Sequence, residues 1–263
     1  PADIVRELRY RGGGFAIRPR PGAAPAAFLL VLLLWEAMVR LGWLNPLFLP
    51  APSAIVAALW HLGQSGALWQ HLAPSLERIV LGWLIGTAAG LLLGIAVGIW
   101  SLSRAVGLAF VSALFPIPKV ALLPLLILWL GIGEASKIAT IALGVFFPTV
   151  IAVYAGIDGV PRNLIAMAQS FNVPRRAILG KVVLPGALPS IIAGFRITSS
   201  TALILLVSAE MIGAQWGIGA FVLQAGNMMQ TDQLLAGVTV LSVLGLLISF
   251  GLSRLEARLL RWR

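Results

Sequence analysis

Six apolar runs dominate this chain, at residues 26–43, 76–101, 105–130, 135–157, 186–209 and 234–253. Each is near the roughly 20 residues that a helix needs to cross the hydrocarbon core of a bilayer. Backbone polar groups in lipid must be paired internally, so runs of this kind fold as helices. The expectation is therefore an all-α integral membrane protein with six transmembrane helices. Composition agrees: 59% of the 263 residues are hydrophobic and 11% are charged, against about 25% charged in soluble domains. The absence of cysteine excludes a disulfide scaffold and a thiolate metal site.

Charge orients the chain. A net charge of +10 could suggest a nucleic-acid partner, but the basic residues cluster by position. Arg6, Arg9, Arg11, Arg18 and Arg20 precede the first run, and Arg104 follows the second. Arg162, Arg175, Arg176 and Lys181 lie between the fourth and fifth, and Arg254, Arg258, Arg261 and Arg263 follow the sixth. Only Arg40, Arg78 and Lys137 fall on the other side. Basic loops stay inside, which predicts cytoplasmic tails at 1–25 and 254–263, a cytoplasmic loop at 160–185, and no nucleic-acid role. A basic N-terminus with no small-residue cleavage site after the first run does not read as a signal peptide. Residues 47–70 are then external, and Ser53 is placed to cap a short amphipathic helix carrying Ile55, Leu59, Trp60 and Leu62. His61 and His71, without carboxylate neighbours, make a poor metal site, and no metal is expected.

Within the runs, Gly82, Gly86, Gly90, Gly94 and Gly98 repeat every fourth residue. Small residues let helices approach closely in lipid. A four-residue step drifts about 40° around a helix, so the stripe is expected to wind and could seat more than one neighbour. Pro116, Pro118 and Pro124 should break the third run. Lys119 beside that break and Arg196 within the fifth run are ionisable groups at membrane depth. One reading makes Lys119, Arg196 and Ser199 part of an anion pathway, with Glu210 beside them. The other pairs the cations with Glu36 or Glu210, or lets them snorkel. Glu36 and Arg40, four apart, are expected to pair on one helix face.

No G-x-x-x-x-G-K-[ST], H-E-x-x-H or G-x-S-x-G occurs. The chain should not bind ATP or act as an intramembrane enzyme, and transport is left as its task. The energy must come from an ion gradient or from a partner.

The segment 160–189 favours a partner. ABC importer permeases carry a cytoplasmic loop of pattern E-A-A-x3-G-x9-I-x-L-P. Here Ala166-Met167-Ala168 stands at E-A-A, Asn172 at the glycine, Val182 at the isoleucine, and Leu184-Pro185 closes the spacing. LPLLILWLGIGEASKI, LPGALPSIIAGFRI, the SAE at 208–210 and QTDQLLAGV at 230–238 also resemble permeases of the nitrate, sulfonate and taurine importer family. The likeness covers roughly residues 44–258. It implies the type I permease fold and a homodimer in a bacterial inner membrane, with two cytoplasmic ATPase subunits and an external substrate-binding protein. ATP and Mg would sit on the ATPase, with no cofactor on this chain. Leu164, Ala166, Met167, Ala168, Phe171, Asn172, Arg175, Leu184 and Pro185 become the ATPase-coupling residues. A short helix near 162–171 and a second through 175–183, leading into the fifth run, are expected. The rival expectation is a secondary anion transporter or channel that works alone.

Overall fold

The computed structural model describes residues 22–260, so the arginines at 6–20 and Arg261 and Arg263 lie outside the described residues. Every regular element among these residues is helical. The described residues divide into two compact units, the first ending at Ile55 and the second beginning at Val56.

The first unit contains α1 (Ala23–Arg40) and the start of α2 (Pro52–Gln64). Helix α1 begins inside the stretch expected as a tail. It leaves Phe28, Leu29, Leu30 and Val31 more than half exposed, the surface of a helix whose solvent is lipid. The Arg40 side chain donates to Glu36 at 2.6 Å, as the four-residue spacing predicts. Ser53 does not cap α2, because the helix starts one residue earlier, at Pro52, with the Ala54 and Ile55 N–H groups bonded to Ala51 O. From the first turn, the Ser53 hydroxyl and N–H donate to the Glu36 carboxylate at 2.8 and 3.0 Å.

The second unit is built on α3 (Ala67–Ile99), α6 (Glu134–Asp158) and α9 (Leu184–Gly213). Helix α4 (Ser101–Leu114) lies on α3, while α10 (Ile218–Asn227) and α11 (Thr231–Leu259) pack on α9. Among the described residues, five helices are long and apolar enough to cross a membrane, and a sixth span results if the bent pair 101–114 and 119–130 counts as one.

Packing of α3 on α6 follows the glycine stripe, but the stripe seats one neighbour rather than several. A Cβ at Gly82, Gly86, Gly90, Gly94 or Gly98 would lie within 2.4–2.8 Å of Ile141, Ala142, Phe146 or Thr149, Val153 or Ile157, all on α6. Helix α6 therefore follows the winding of the stripe along α3. The tightest approach is backbone: the Ala142 carbonyl oxygen stands 2.4 Å from where a Gly86 Cβ would be.

Two more helices run past their expected bounds, and one helix is new. Helix α3 starts nine residues before position 76, because His71 and Ser75 are good enough helix residues once their polar groups find partners. Helix α11 runs on to Leu259, through what was expected to be tail. Helix α10 had no counterpart in the sequence reading.

Candidate functional site

The segment expected to meet a partner is helical where its pattern predicts. Helix α7 spans Arg162–Ser170 behind Pro161, and α8 (Arg175–Ile178) follows Pro174, both prolines standing at a helix start where no N–H is missed. Helix α8 passes through one π-helical turn, Leu179–Val183, into α9. The result is a continuous helical path from Arg175 to Gly213. Leu184 and Pro185 open α9, with the proline in its first turn.

Side chains on α7 divide sharply. Ala168 is buried, in a cluster with Val153, Ile157, Val160, Ile178, Val183, Ala187 and Ile191. Leu164, Met167 and Phe171 are exposed at 42%, 55% and 76%, although burial would stabilise each by roughly 1.5–3 kcal/mol. Ala166 and Arg175 are also exposed. A rigid helix thus carries an uncovered apolar face on one side and is anchored to the body of the second unit on the other.

Asn172 explains why the family pattern has glycine at that position. Its φ is +54°, a left-handed conformation that glycine takes freely and that asparagine tolerates best among the other residues. Its N–H donates to Gln169 O at 2.9 Å and the Val173 N–H to Ala168 O at 3.1 Å. These two bonds are the Schellman closure of a helix end, and they turn the chain from α7 into α8.

The break in the third run is an 85° bend between α4 and the segment 119–130, which is a short 3-10 turn, Lys119–Leu122, and α5 (Leu123–Leu130). Pro118 has no N–H to give the Leu114 carbonyl. Lys119 replaces it: its Nζ donates to Leu114 O at 2.9 Å, Phe115 O at 3.0 Å and Ile117 O at 2.7 Å. The ammonium also lies 4.6 Å from the Phe147 ring centroid. All three of its protons are used, so Lys119 holds the bend with a charge fixed in place.

Arg196 pairs with neither Glu36 nor Glu210. Its guanidinium donates to Glu256 at 2.7 Å and to Ser253 Oγ at 3.1 Å, both on α11. The Ser199 hydroxyl donates to the Arg196 carbonyl at 2.9 Å, back into its own helix. Ser199 also lines a small apolar cavity of about 120 Å³ with Trp83 and Leu252.

Glu210 belongs to a buried cluster absent from the sequence reading. Arg78 and Lys137, read from charge alone as orienting residues, are buried at 2% and 5% exposed, within α3 and α6. Arg78 donates to Glu210 and to the Trp216 carbonyl, both at 2.7 Å, and its other two nitrogens meet Glu134. Glu210 also accepts from Ser75 Oγ at 2.7 Å and from the Gly219 N–H at 2.8 Å. Lys137 lies 4.0 Å from Glu134. Two cations and two anions therefore balance, and every oxygen of Glu210 is satisfied, as burial of charge demands. Gly217, at φ +145°, must be glycine: a Cβ would lie 2.4 Å from the Glu210 carboxyl carbon. His71 is a core residue here, its Nδ1 3.0 Å from the Gly217 carbonyl and its ring against Trp216 and Phe221. The signal lay in the sequence as four charges of net zero in or beside apolar runs.

The four pathway candidates are Lys119, Arg196, Ser199 and Glu210. Beyond the bond from Ser199 to the Arg196 backbone, no hydrogen bond or ion pair joins any two of them among the described residues. What they share is attachment: Arg196, Ser199 and Glu210 are all on α9, which α7 and α8 lead into.

Comparison with known proteins agrees with this geometry. Residues 86–261 match the family model described as binding-protein-dependent transport system inner membrane component. The taurine transport system permease protein TauC of Escherichia coli (strain K12) is 38% identical over 89% of this chain and 86% of its own length. SsuC of Bacillus subtilis (strain 168), whose name assigns it to aliphatic sulfonates transport, is 36% identical over 94% of this chain and 92% of its own. In fold, the chain resembles one from the MetNI methionine ABC transporter in inward facing conformations, at TM-score 0.63, 23% identity, and 73% and 95% coverage of the two chains. A chain of an amino acid ABC transporter crystallised with histidines superposes at TM-score 0.60 with 19% identity, covering 76% of this chain and 97% of that one. The sequence match, the all-helical type I architecture and the spacing of the 160–185 loop lead to one conclusion: the chain belongs to the family of binding-protein-dependent transport system inner membrane components, the permease subunits of ABC importers.

Proposed function

We propose that this permease works as a homodimer that carries a small sulfonate across a bacterial inner membrane, with taurine or an aliphatic sulfonate as cargo and nitrate next in order. The names of its relatives support the cargo. Both termini and the α7–α8 segment face the cytoplasm, where each copy docks one ATPase subunit. ATP and Mg are held there and this chain binds no cofactor. An external binding protein delivers the substrate.

The observation that carries this reading is α7, whose exposed Leu164 and Met167, with Phe171 just past its end, form an apolar face on a helix fixed from behind by Ala168. Small Ala166 permits close approach, and flexible Met167 adapts to the groove it enters. Docked this way, α7 would pass ATPase closure through Asn172 and Arg175 into the helical path opened by Leu184 and Pro185. That path has 39 residues, roughly 58 Å at 1.5 Å per residue. Arg196 and Ser199 lie along it and Glu210 near its far end, so one rigid element joins the docking face to the ion cluster. The fixed ammonium of Lys119 supplies a positive field at the bend, suited to an anion.

Met167→Asp puts a charge in the middle of the apolar face without touching the buried side of α7. The expected result is a folded permease that no longer retains the ATPase in a pull-down. Retention equal to that of the native chain would remove α7 from this role.

A further inference from the structure

At the α7 end of the second unit lies a cavity of about 590 Å³, and of its charged wall only Arg175 has a role above, in coupling. The end of α3, the start of α4, the end of α6 and the α7–α8 turn border it and leave it open on one side, and Trp100, Arg104, Asp158, Arg162, Arg175 and Arg176 are on its wall. Asp158 is its one carboxylate, and it is already paired with Arg104 at 3.0 Å. Arg104 is further fixed by its stack on the Tyr154 ring, 5.1 Å away, and by a bond to Gly98 O at 3.3 Å. Arg162, Arg175 and Arg176 have no acidic partner among the described residues.

Three unpaired guanidinium groups around one concavity repel one another, and the low-dielectric wall concentrates their field. An anion relieves that repulsion. The planar fork of a guanidinium matches phosphate oxygens in particular. Trp100 is 60% exposed immediately after the end of α3, and tryptophan favours the level where headgroups meet hydrocarbon. Ile99, Ile165 and Leu179 add apolar wall, which a free inorganic ion does not need and an amphiphile does.

We propose that this cavity binds the phosphate of an anionic phospholipid of the inner leaflet, with Arg162 and Arg176 as its principal contacts. The lipid would then brace the α7–α8 turn against the ends of α3 and α6 from behind the docking face. This rests on the cytoplasmic placement of α7 proposed above. Binding measured in detergent does not depend on orientation, whereas cysteine labelling from either side of the membrane tests orientation alone, so the two can fail separately.

The test is native mass spectrometry of the permease–ATPase complex titrated with phosphatidylglycerol, with phosphatidylcholine, and with inorganic phosphate. Preferential retention of phosphatidylglycerol is expected. At about one basic side chain's worth of attraction each, R162Q or R176Q should weaken it roughly fivefold and R162Q/R176Q roughly thirtyfold, with phosphatidylcholine unaffected. R162K/R176K, which keeps both charges, should retain most of the preference and so separates charge from misfolding. Equal retention of the two lipids overturns the proposal, as does an unchanged preference in R162Q/R176Q. So does displacement of phosphatidylglycerol by millimolar phosphate, the mark of a free-ion site. Loss of the ATPase from R162Q/R176Q with phosphatidylglycerol still retained would overturn it too, assigning the arginines to the subunit interface.

Discussion

Gly86→Ala adds one carbon atom to α3, and the structure says what that carbon meets. It would stand 2.4 Å from the Ala142 carbonyl oxygen, 2.9 Å from the Ala142 Cα and 3.0 Å from its carbonyl carbon. All three are backbone, so no side chain can swing aside, and α3 and α6 must part locally by about 1 Å to reach an ordinary contact distance. A gap of that size forfeits a quarter to a half of each dispersion contact it opens. For roughly 50 heavy-atom contacts of about 0.15 kcal/mol, the loss is about 2–4 kcal/mol. Alanine's better helix propensity returns up to about 1 kcal/mol, leaving a net destabilisation of about 1–3 kcal/mol, the usual range for overpacking. Gly251→Ala is the control, since a Cβ there meets nothing within 4 Å. Thermal unfolding of the purified protein in detergent, followed by tryptophan fluorescence, should show Gly86→Ala melting several degrees lower and Gly251→Ala unchanged or higher. Equal melting of Gly86→Ala and the native chain would refute the stripe as the seat of α6.

Two further outcomes follow from the local geometry. Glu210→Gln keeps the shape of the buried cluster but removes a charge that accepts from Arg78, Ser75 and Gly219; an uncompensated buried cation should cost about 3–5 kcal/mol in unfolding free energy, and an unaltered melting temperature would mean the cluster is solvated. At Asn172, φ +54° makes a β-branched residue strained by roughly 1–2 kcal/mol, so Asn172→Val should speed proteolysis within 160–185, while Asn172→Gly should slow it or leave it unchanged.

Much of this fold was legible because hydropathy reports lipid exposure directly. The apolar runs at 135–157 and 186–209 fall inside α6 and α9 almost end to end. Pro116 and Pro118 announce the bend at 85°, since a missing N–H has the same consequence in any surroundings. Glu36–Arg40 was legible for a similar reason, as four residues along a helix fix the geometry of a pair. The α7 segment was legible through its spacing, and Asn172 shows the conformation behind that spacing.

The rest was not, because it depends on long-range pairing. Arg78 meets Glu134 and Glu210 across 56 and 132 residues, and no local pattern encodes which buried acid meets which base. Arg78 and Lys137 therefore read as charges at the external side of their runs, although each is paired in the core. Arg196 finds Glu256 on α11, 60 residues away, for the same reason. The winding of the glycine stripe gave its direction but not its partner: only the path of α6 decides that one helix follows all five positions.

The proposed coupling of this permease to an ATPase is tested most directly by taurine uptake. Radiolabelled taurine should enter proteoliposomes that hold the permease, its ATPase and its binding protein only when ATP is supplied, and Met167→Asp should abolish that uptake with the permease still folded. Equal uptake by the permease alone, without ATPase or ATP, would contradict it.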